Sequence, residues 1–498
     1  MKLLVANRGE IAIRIMRAAA ELDIPTVAVY PQDDAGSLHT GKADEAVVLP
    51  GIGRNAYLDI DEIIAAAKGS DCDAIHPGCG FLAEDAEFAR RCDQASLTFI
   101  GPPAGVLDLL GDNERMQAAA IAADLAVQQD NPDVQPVRRL AVQILADLHA
   151  DIIQLGDRDC SVPGIDIAPA PSIDQDLRER MQAAAVRLMQ HIGYSGVGCV
   201  EFLLDEDFVF AGAMGSLQVA HTVTEALTGV DIVKAQLQVS SGASLRELGL
   251  DEPQNSSGYA IQARVCLEAV REDGAIHPTS GTLLAYEAPS GPGIRTDGFG
   301  YGGYETSLLY DSLLAKVIAY SNTPRFSDVI SRTLRALSEF RIEGPDTNLA
   351  FLMSILSHQA FAAGAVHTGF IEEEMSTLVA NMKDQQARTE PVVGMRASAN
   401  LGLGDSQDLP LGPDGSIGLA TPMQGTLVGI DVNLSDEVRV GQTVAVVEAM
   451  KLQHDIKADR SGIVVEISMS VGDVVQEGYP IVFINETNVE GGALETEG

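Results

Sequence analysis

Over its first hundred residues the chain alternates short apolar runs with amphipathic stretches. LLVA at 3–6 reads as a buried strand closed by NRGE, and the stretch after it puts Ile11, Ile15, Ala19 and Leu22 on one helical stripe. TVAVY at 26–30, DAIHPG at 73–78 and LTFIG at 97–101 read as further strands, with a helix over DEIIAAAK at 61–68. Strands alternating with helices predict an α/β fold, a parallel doubly wound sheet assigned to residues 1–111.

Residues 112–378 predict a second unit of α+β character. Its opening stretch, 112–137, is rich in Ala and Gln and ends in DNPDVQP. AVQIL, DIIQLG and VGCVEFLL follow as strands, with helices over 179–192 and 222–236. Residues 379–417 turn rich in Gly, Ser, Asp and Pro and read as a linker. A small all-β domain is expected over 418–485, then a tail over 486–498.

That last domain repeats itself. GTLVGIDVNLSDEVRVGQTVAVV from Gly425 matches SGIVVEISMSVGDVVQEGYPIVFI at a shift of 37 residues, pairing Gly425 with Gly462, Asp436 with Asp473, Val438 with Val475 and Gly441 with Gly478. Neither copy can bury its own apolar face, so the two are expected to pack as a pseudo-twofold β-sandwich. Between the copies lies VVEAMKLQHDI, 446–456, at the connecting hairpin. Its Lys451 is either a solvated surface lysine or an amine presented for modification.

Composition narrows the function classes. At 498 residues the chain exceeds what one core serves. It carries 71 acidic against 33 basic residues, a net charge of −38, and only eight lysines. Such a surface repels phosphate backbones, so nucleic acid is excluded as a partner. An acidic, lysine-poor composition also suits a salt-rich, halophilic cytoplasm, where screening removes self-repulsion. With no run of eighteen apolar residues and a charged start, neither a signal peptide nor a membrane span is expected, and the reading is cytoplasmic. The six cysteines show no CxxC pair and read as buried free thiols.

The repeat, the AMK of 449–451 and the TPM of 421–423 together resemble the biotinyl (biotin carboxyl carrier) domain. The resemblance makes Lys451 the biotin attachment site. Met450 and Met423 favour biotin over lipoate, since lipoyl domains usually place Asp before the lysine. The first 380 residues resemble the biotin carboxylase component of biotin-dependent acyl-CoA carboxylases of the acetyl-/propionyl-CoA type, an ATP-grasp enzyme. The matching stretches include VANRGEIAIRIMRAA at 5–19, HPGCGFL at 76–82, LADLHADIIQLGDRDCS at 145–161, VEFLLDED at 200–207, LQVAHTVTEALTGVDIVKAQL at 217–237 and YDSLLAKVIAY at 310–320.

In that family ATP and bicarbonate form carboxyphosphate, and the carboxyl group passes to biotin. The chemistry needs a glycine-rich lid, lysines against phosphate, carboxylates on magnesium and a general base. This chain departs from the pattern at each. Between GDN at 111–113 and the strand at 141 about 25 residues replace the lid subdomain, with no Gly and no Lys, and Asn113 stands for the usual lysine. VPGIDIAPAP follows RDCS where the family carries QRRHQK. Arg139 and Ala141 stand for the usual His and Glu. The pattern FxEMNxRxQVEH becomes FAGAMGSLQVAH at 210–221, so Gly212 replaces a metal carboxylate, Met214 the asparagine, Ser216 the arginine and Ala220 the base.

Gln218, Val219 and Arg295 survive as remnants of the bicarbonate and biotin pocket, and Glu201 as the first magnesium ligand. His76 and His221 read as packed histidines. The resemblance thus implies a biotin-carrying α-type subunit with a catalytically degenerate, pseudoenzyme-like carboxylase half, serving fatty acid metabolism, with ATP and magnesium doubtful. Its expected partners are a carboxyltransferase β subunit, a biotin ligase, an active biotin carboxylase and further copies in a homo- or hetero-oligomer. The alternatives are a competent carboxylase whose lid is missing from this sequence, and a binding module with no carboxylation role.

Overall fold

Five short parallel strands carry the N-terminal apolar runs: β1 (Leu3–Val5), β2 (Thr26–Pro31), β3 (Glu45–Leu49), β4 (Ala74–His76) and β5 (Thr98–Phe99). Their order, β3-β2-β1-β4-β5, is that of a doubly wound sheet. The structure, a computed structural model, describes residues 1–127, 137–252, 257–271, 274–389, 416–421, 425–449, 452–458, 460–469, 471–472, 474–475 and 480–486. Central β1 is wholly buried, as a strand covered on both faces must be. Edge strand β3 escapes the pattern reading because Glu45, Ala46 and Val48 are exposed there. Helix α1 (Gly9–Ala20) buries Ile11, Ile15 and Ala19, as its periodicity predicts.

The next sheet is antiparallel and eight-stranded. Its strands are β6 (Arg138–Ala146), β7 (Ile152–Val162), β8 (Ile165–Ala168), β9 (Gly196–Leu204), β10 (Phe208–Met214) and β11 (Tyr259–Cys266), with Leu313–Ser321 and Ile294–Gly298 beyond. The order is β10-β9-β6-β7-β8-β11 and then those two. Only Pro163 and Gly164 separate β7 from β8, and Gly164 has φ +84°, which a tight turn needs and glycine supplies without strain.

The helix expected over 222–236 is two helices, His221–Thr228 and Ile232–Ser240. Gly229 ends the first in a left-handed conformation, φ +75°, and Asp231 caps the second by accepting from the Lys234 amide. The helix expected over 179–192 spans Gln175–His191. The last helix, Phe370–Thr389, runs across residue 378, where the sequence reading ended the second domain.

By contacts the chain divides into residues 1–389 and 390–498. The second unit contains the expected sandwich. One sheet orders Ile417–Ala420, Pro480–Glu486, Gly462–Ile467 and Glu437–Val438, and the other Leu452–Lys457, Thr443–Ala449, Gly425–Ile430 and Val474–Val475. The pairing is reciprocal: Gly425 lies opposite Val475, and Val438 opposite Gly462, the same pair moved by the repeat shift. The core repeats likewise, with Leu427 and Val464, Val444 and Ile481, and Val447 and Ile484 all buried. Each copy donates its short strand to the sheet of the other, so neither copy completes its sheet by itself.

Candidate functional site

Four strands bring the resemblance-derived positions into one row. Arg158 of β7 lies opposite Ala141 of β6, Ala141 opposite Glu201 of β9, and Glu201 opposite Gly212 of β10. Directly opposed residues share a face of the sheet, so Glu201 stands between an alanine and a glycine. A side chain begun at Gly212 would meet nothing within 4 Å.

Arg139, two residues before Ala141 on the same face, brings Nη1 to 3.6 Å from Glu201 Oε2. Burial pushes the Glu201 carboxyl above its ordinary range, while Arg139 and Arg158 pull it back. Arg158 is 1% exposed and has no carboxylate partner among the described residues. It donates to Gln143 Oε1 and, at 3.3 Å, to Thr224 Oγ1, and its Nε has no acceptor. Two guanidinium groups and the Glu201 carboxylate therefore stand in this row, with Glu84 near enough to raise Glu201 further. That donor set does not suit magnesium, which demands several oxygen ligands and gives up its waters reluctantly. Among the described residues no three His, Cys, Asp or Glu side chains gather to hold a metal.

The other remnants lie past the end of β10. Ser216 donates to Glu84 Oε1 at 2.7 Å and accepts from Gln218 Nε2 at 3.0 Å. The Val219 carbonyl accepts from Lys316 Nζ at 3.4 Å, and Lys316, fully buried, pairs with Glu10 at 3.0 Å. Arg295 grips Asp297 through two bonds of 3.0 and 2.6 Å and reaches Glu225 at 2.7 Å. Burial alone would raise the Asp297 carboxyl, but Arg295 outweighs it and draws it down to about 2. Glu225 also accepts from Arg14 at 2.8 Å and from the Ile232 amide at 2.9 Å. Arg295 is thus already committed to a buried network.

His76 is buried, accepting from the Gly78 amide at Nδ1 (3.0 Å) and donating from Nε2 to Gln236 (3.2 Å). Burial pushes it down to about 3. His221 is equally buried, with Nδ1 2.7 Å from the Gln218 carbonyl. Sequence reasoning overlooked Lys316, Glu10 and Glu225. A signal for the first existed: one lysine inside the apolar run LLAKVIAY. All six cysteines are free, but only Cys72, Cys92 and Cys199 are buried, while Cys79, Cys160 and Cys266 are partly exposed.

Lys451, Met450 and Met423 lie outside the described residues. The strands on either side of the first two are described, and Ala449 lies opposite Leu452. The sequence therefore places Lys451 between two paired strands of the sandwich. The residues present fit a covalent biotin carrier in this respect: paired strands flank the lysine, and a symmetric core holds them in place.

Four family profiles match the chain in order. "Biotin carboxylase, N-terminal domain" covers residues 1–107 and "Carbamoyl-phosphate synthase L chain, ATP binding domain" covers 126–248. "Biotin carboxylase C-terminal domain" covers 262–373, and "Biotin-requiring enzyme" 418–484. Biotin carboxylase 1 of Bacillus subtilis is 36% identical over 447 residues, covering 74% of this chain and 98% of that one.

The chain belongs to the biotin carboxylase family.

Other members extend the likeness. Pyruvate carboxylase of Staphylococcus aureus is 37% identical over 451 residues, taking in 75% of this chain and 39% of that one. A solved single-chain, multi-domain long-chain acyl-CoA carboxylase superposes with a TM-score of 0.74 at 38% identity, over 99% of this chain and 50% of that one. The chain thus spans half or less of these multi-domain relatives. It is a biotin carboxylase-type α/β protein with an ATP-binding-type domain and a biotinyl module, and no described helix is long and apolar enough to cross a membrane.

Proposed function

We propose that this chain is the biotin-carrying α-type subunit of an acyl-CoA carboxylase, and that its carboxylase half now serves as a scaffold. Lys451 presents biotin, installed by a biotin ligase, and Met450 and Met423 complete the recognition stretch. An active biotin carboxylase loads the arm, and a carboxyltransferase β subunit unloads it onto an acyl-CoA of fatty acid metabolism. The assembly is oligomeric and works in the cytoplasm of a halophile. The proposed domain limits are 1–111, 112–378, 379–417 and 418–485.

One observation carries the scaffold reading: Glu201 stands alone between Ala141 and Gly212 and faces Arg139 at 3.6 Å. Phosphoryl transfer draws most of its rate from preorganised charge around the phosphates, and a lone carboxylate beside a guanidinium cannot supply it. Ser216 donates to Glu84 and accepts from Gln218, and Arg295 is held by Asp297 and Glu225. The short β7–β8 turn and the absence of Gly and Lys between 114 and 137 argue against a phosphate lid.

The ATP-binding-type profile over 126–248 favours the competent enzyme as the second reading. The full-length biotinylated chain, given ATP and bicarbonate, separates the two. The scaffold predicts no bicarbonate-stimulated ADP release, and carboxylation of its biotin only after an active biotin carboxylase is added. Bicarbonate-stimulated ADP release by the chain alone overturns it.

A further inference from the structure

The 1–389 unit contains a cleft of about 710 Å³, within the usual range for small-molecule sites. It lies beside the first turn of α1, the Pro163–Gly164 turn and the helix Leu349–Ser357. Its lining mixes two kinds of chemistry. Leu308, Leu309 and Ile276 line it while standing 60, 51 and 48% exposed. A surface of such high net charge keeps large apolar groups in water at a cost, and a cluster of them at a cavity mouth marks a binding surface.

Two guanidinium groups in the lining have capacity to spare, the exposed Arg54 and the partly buried Arg264. Glu10 is neutralised by Lys316 at 3.0 Å, and Arg8 by Asp34 at 2.7 Å while stacking 3.9 Å over Tyr310. Glu268 accepts from Ser312, and Asn348 is spent on the Cys266 amide and the Arg264 carbonyl. Arg264 differs. Among the described residues it donates only through Nη2, to Asp166 at 3.0 Å, and its Nε has no acceptor. The guanidinium is about one-third exposed and lines the cleft. A guanidinium with unused donors beside an apolar wall calls for a planar anion attached to a hydrocarbon.

We infer that this cleft binds an amphipathic carboxylate, its head on Arg264 and its aliphatic tail along Leu308, Leu309 and Ile276. The Arg264–carboxylate bonds are charge-assisted, and the tail covers side chains that otherwise face water. Neither Lys451 nor the Glu201 row takes part, so the inference stands or falls apart from the carrier reading.

Isothermal titration of the full-length, unbiotinylated protein with decanoate tests it. Saturable one-to-one binding is expected, about tenfold tighter than that of decanol, because only the carboxylate can use Arg264. Leu309→Asp alters an exposed side chain and should abolish binding. Leu284→Asp, at a 71% exposed leucine outside the cleft, should leave binding unchanged. Arg264→Gln should erase the preference for the acid over the alcohol. If that variant fails to fold, having left Asp166 unpaired, the Leu309→Asp and Leu284→Asp pair decides alone. Absence of saturable binding, equal affinity for decanoate and decanol, or wild-type affinity in Leu309→Asp overturns the proposal.

Discussion

The biotinyl module and the β6–β10 face lie in one chain, yet their residues pair on different principles. In the module every described core pair obeys the repeat: Leu427 with Val464, Val444 with Ile481, Val447 with Ile484. On the sheet face the strand register sets Glu201 between Ala141 and Gly212, with no carboxylate at either. A carrier asks only that one amine project from a stable scaffold. A phosphoryl-transfer site asks that several charges act together, and groups acting as a unit lose nearly everything when one is lost. The first kind of function resists substitution and the second does not.

The sharpest way to break this comparison is at the lysine. Lys451→Arg, made beside a biotin ligase, should lose streptavidin binding entirely while the sandwich keeps its fold, since the core pairs are untouched. Streptavidin reactivity persisting in that variant would show that the arm lies elsewhere. Next in size is repair of the sheet face. Gly212→Glu has room for its side chain, but should leave bicarbonate-dependent ATP cleavage undetectable, because Ala141 and Arg139 remain. Measurable turnover in that single variant would mean the face had kept more of its chemistry than the row suggests.

A smaller effect concerns acid. His39 and His76 are buried, and burial pushes them down to about 4 and about 3. Their unfolded values lie near 6.5, so the unfolded chain binds more protons below that pH. The stability they confer is full above about pH 6.5 and is lost as pH falls toward the folded values. Denaturant midpoints of the 1–389 unit should therefore drop between pH 7 and 4. In His76→Gln the slope should lessen by up to about 1.4 kcal/mol per pH unit. An unchanged slope would mean that His76 is protonated in the folded chain.

The mildest prediction concerns salt. At molar potassium chloride the screening length is about 3 Å, so repulsion among the 71 acidic groups should fade and both units should melt later. A flat melting curve from low to molar salt would leave the acidity without an adaptive role.

Much of this was legible along the chain because it is local. Period-two and period-3.6 apolar patterns placed β1, β2 and α1, and the shift of 37 residues placed the sandwich, whose reciprocal strand exchange only the structure showed. Local reading failed where burial does not follow period: β3 at an exposed edge, and the break at Gly229, whose left-handed conformation no apolar stripe reveals.

The sequence by itself determined the family, the order of domains and the one lysine between the repeat copies. It also put alanine at 141 and glycine at 212. Only the tertiary structure decided that these two positions flank Glu201 on either side, that Arg139 faces it, and that Arg158 lies buried at the end of the row with no carboxylate partner among the described residues. It likewise decided that Lys316 reaches Glu10 across some three hundred residues, and that Arg14 and Arg295 share Glu225. The reason is register. Which residue faces which across antiparallel strands separated by tens of residues is set by the packing of the whole sheet, and no window along the chain contains both partners.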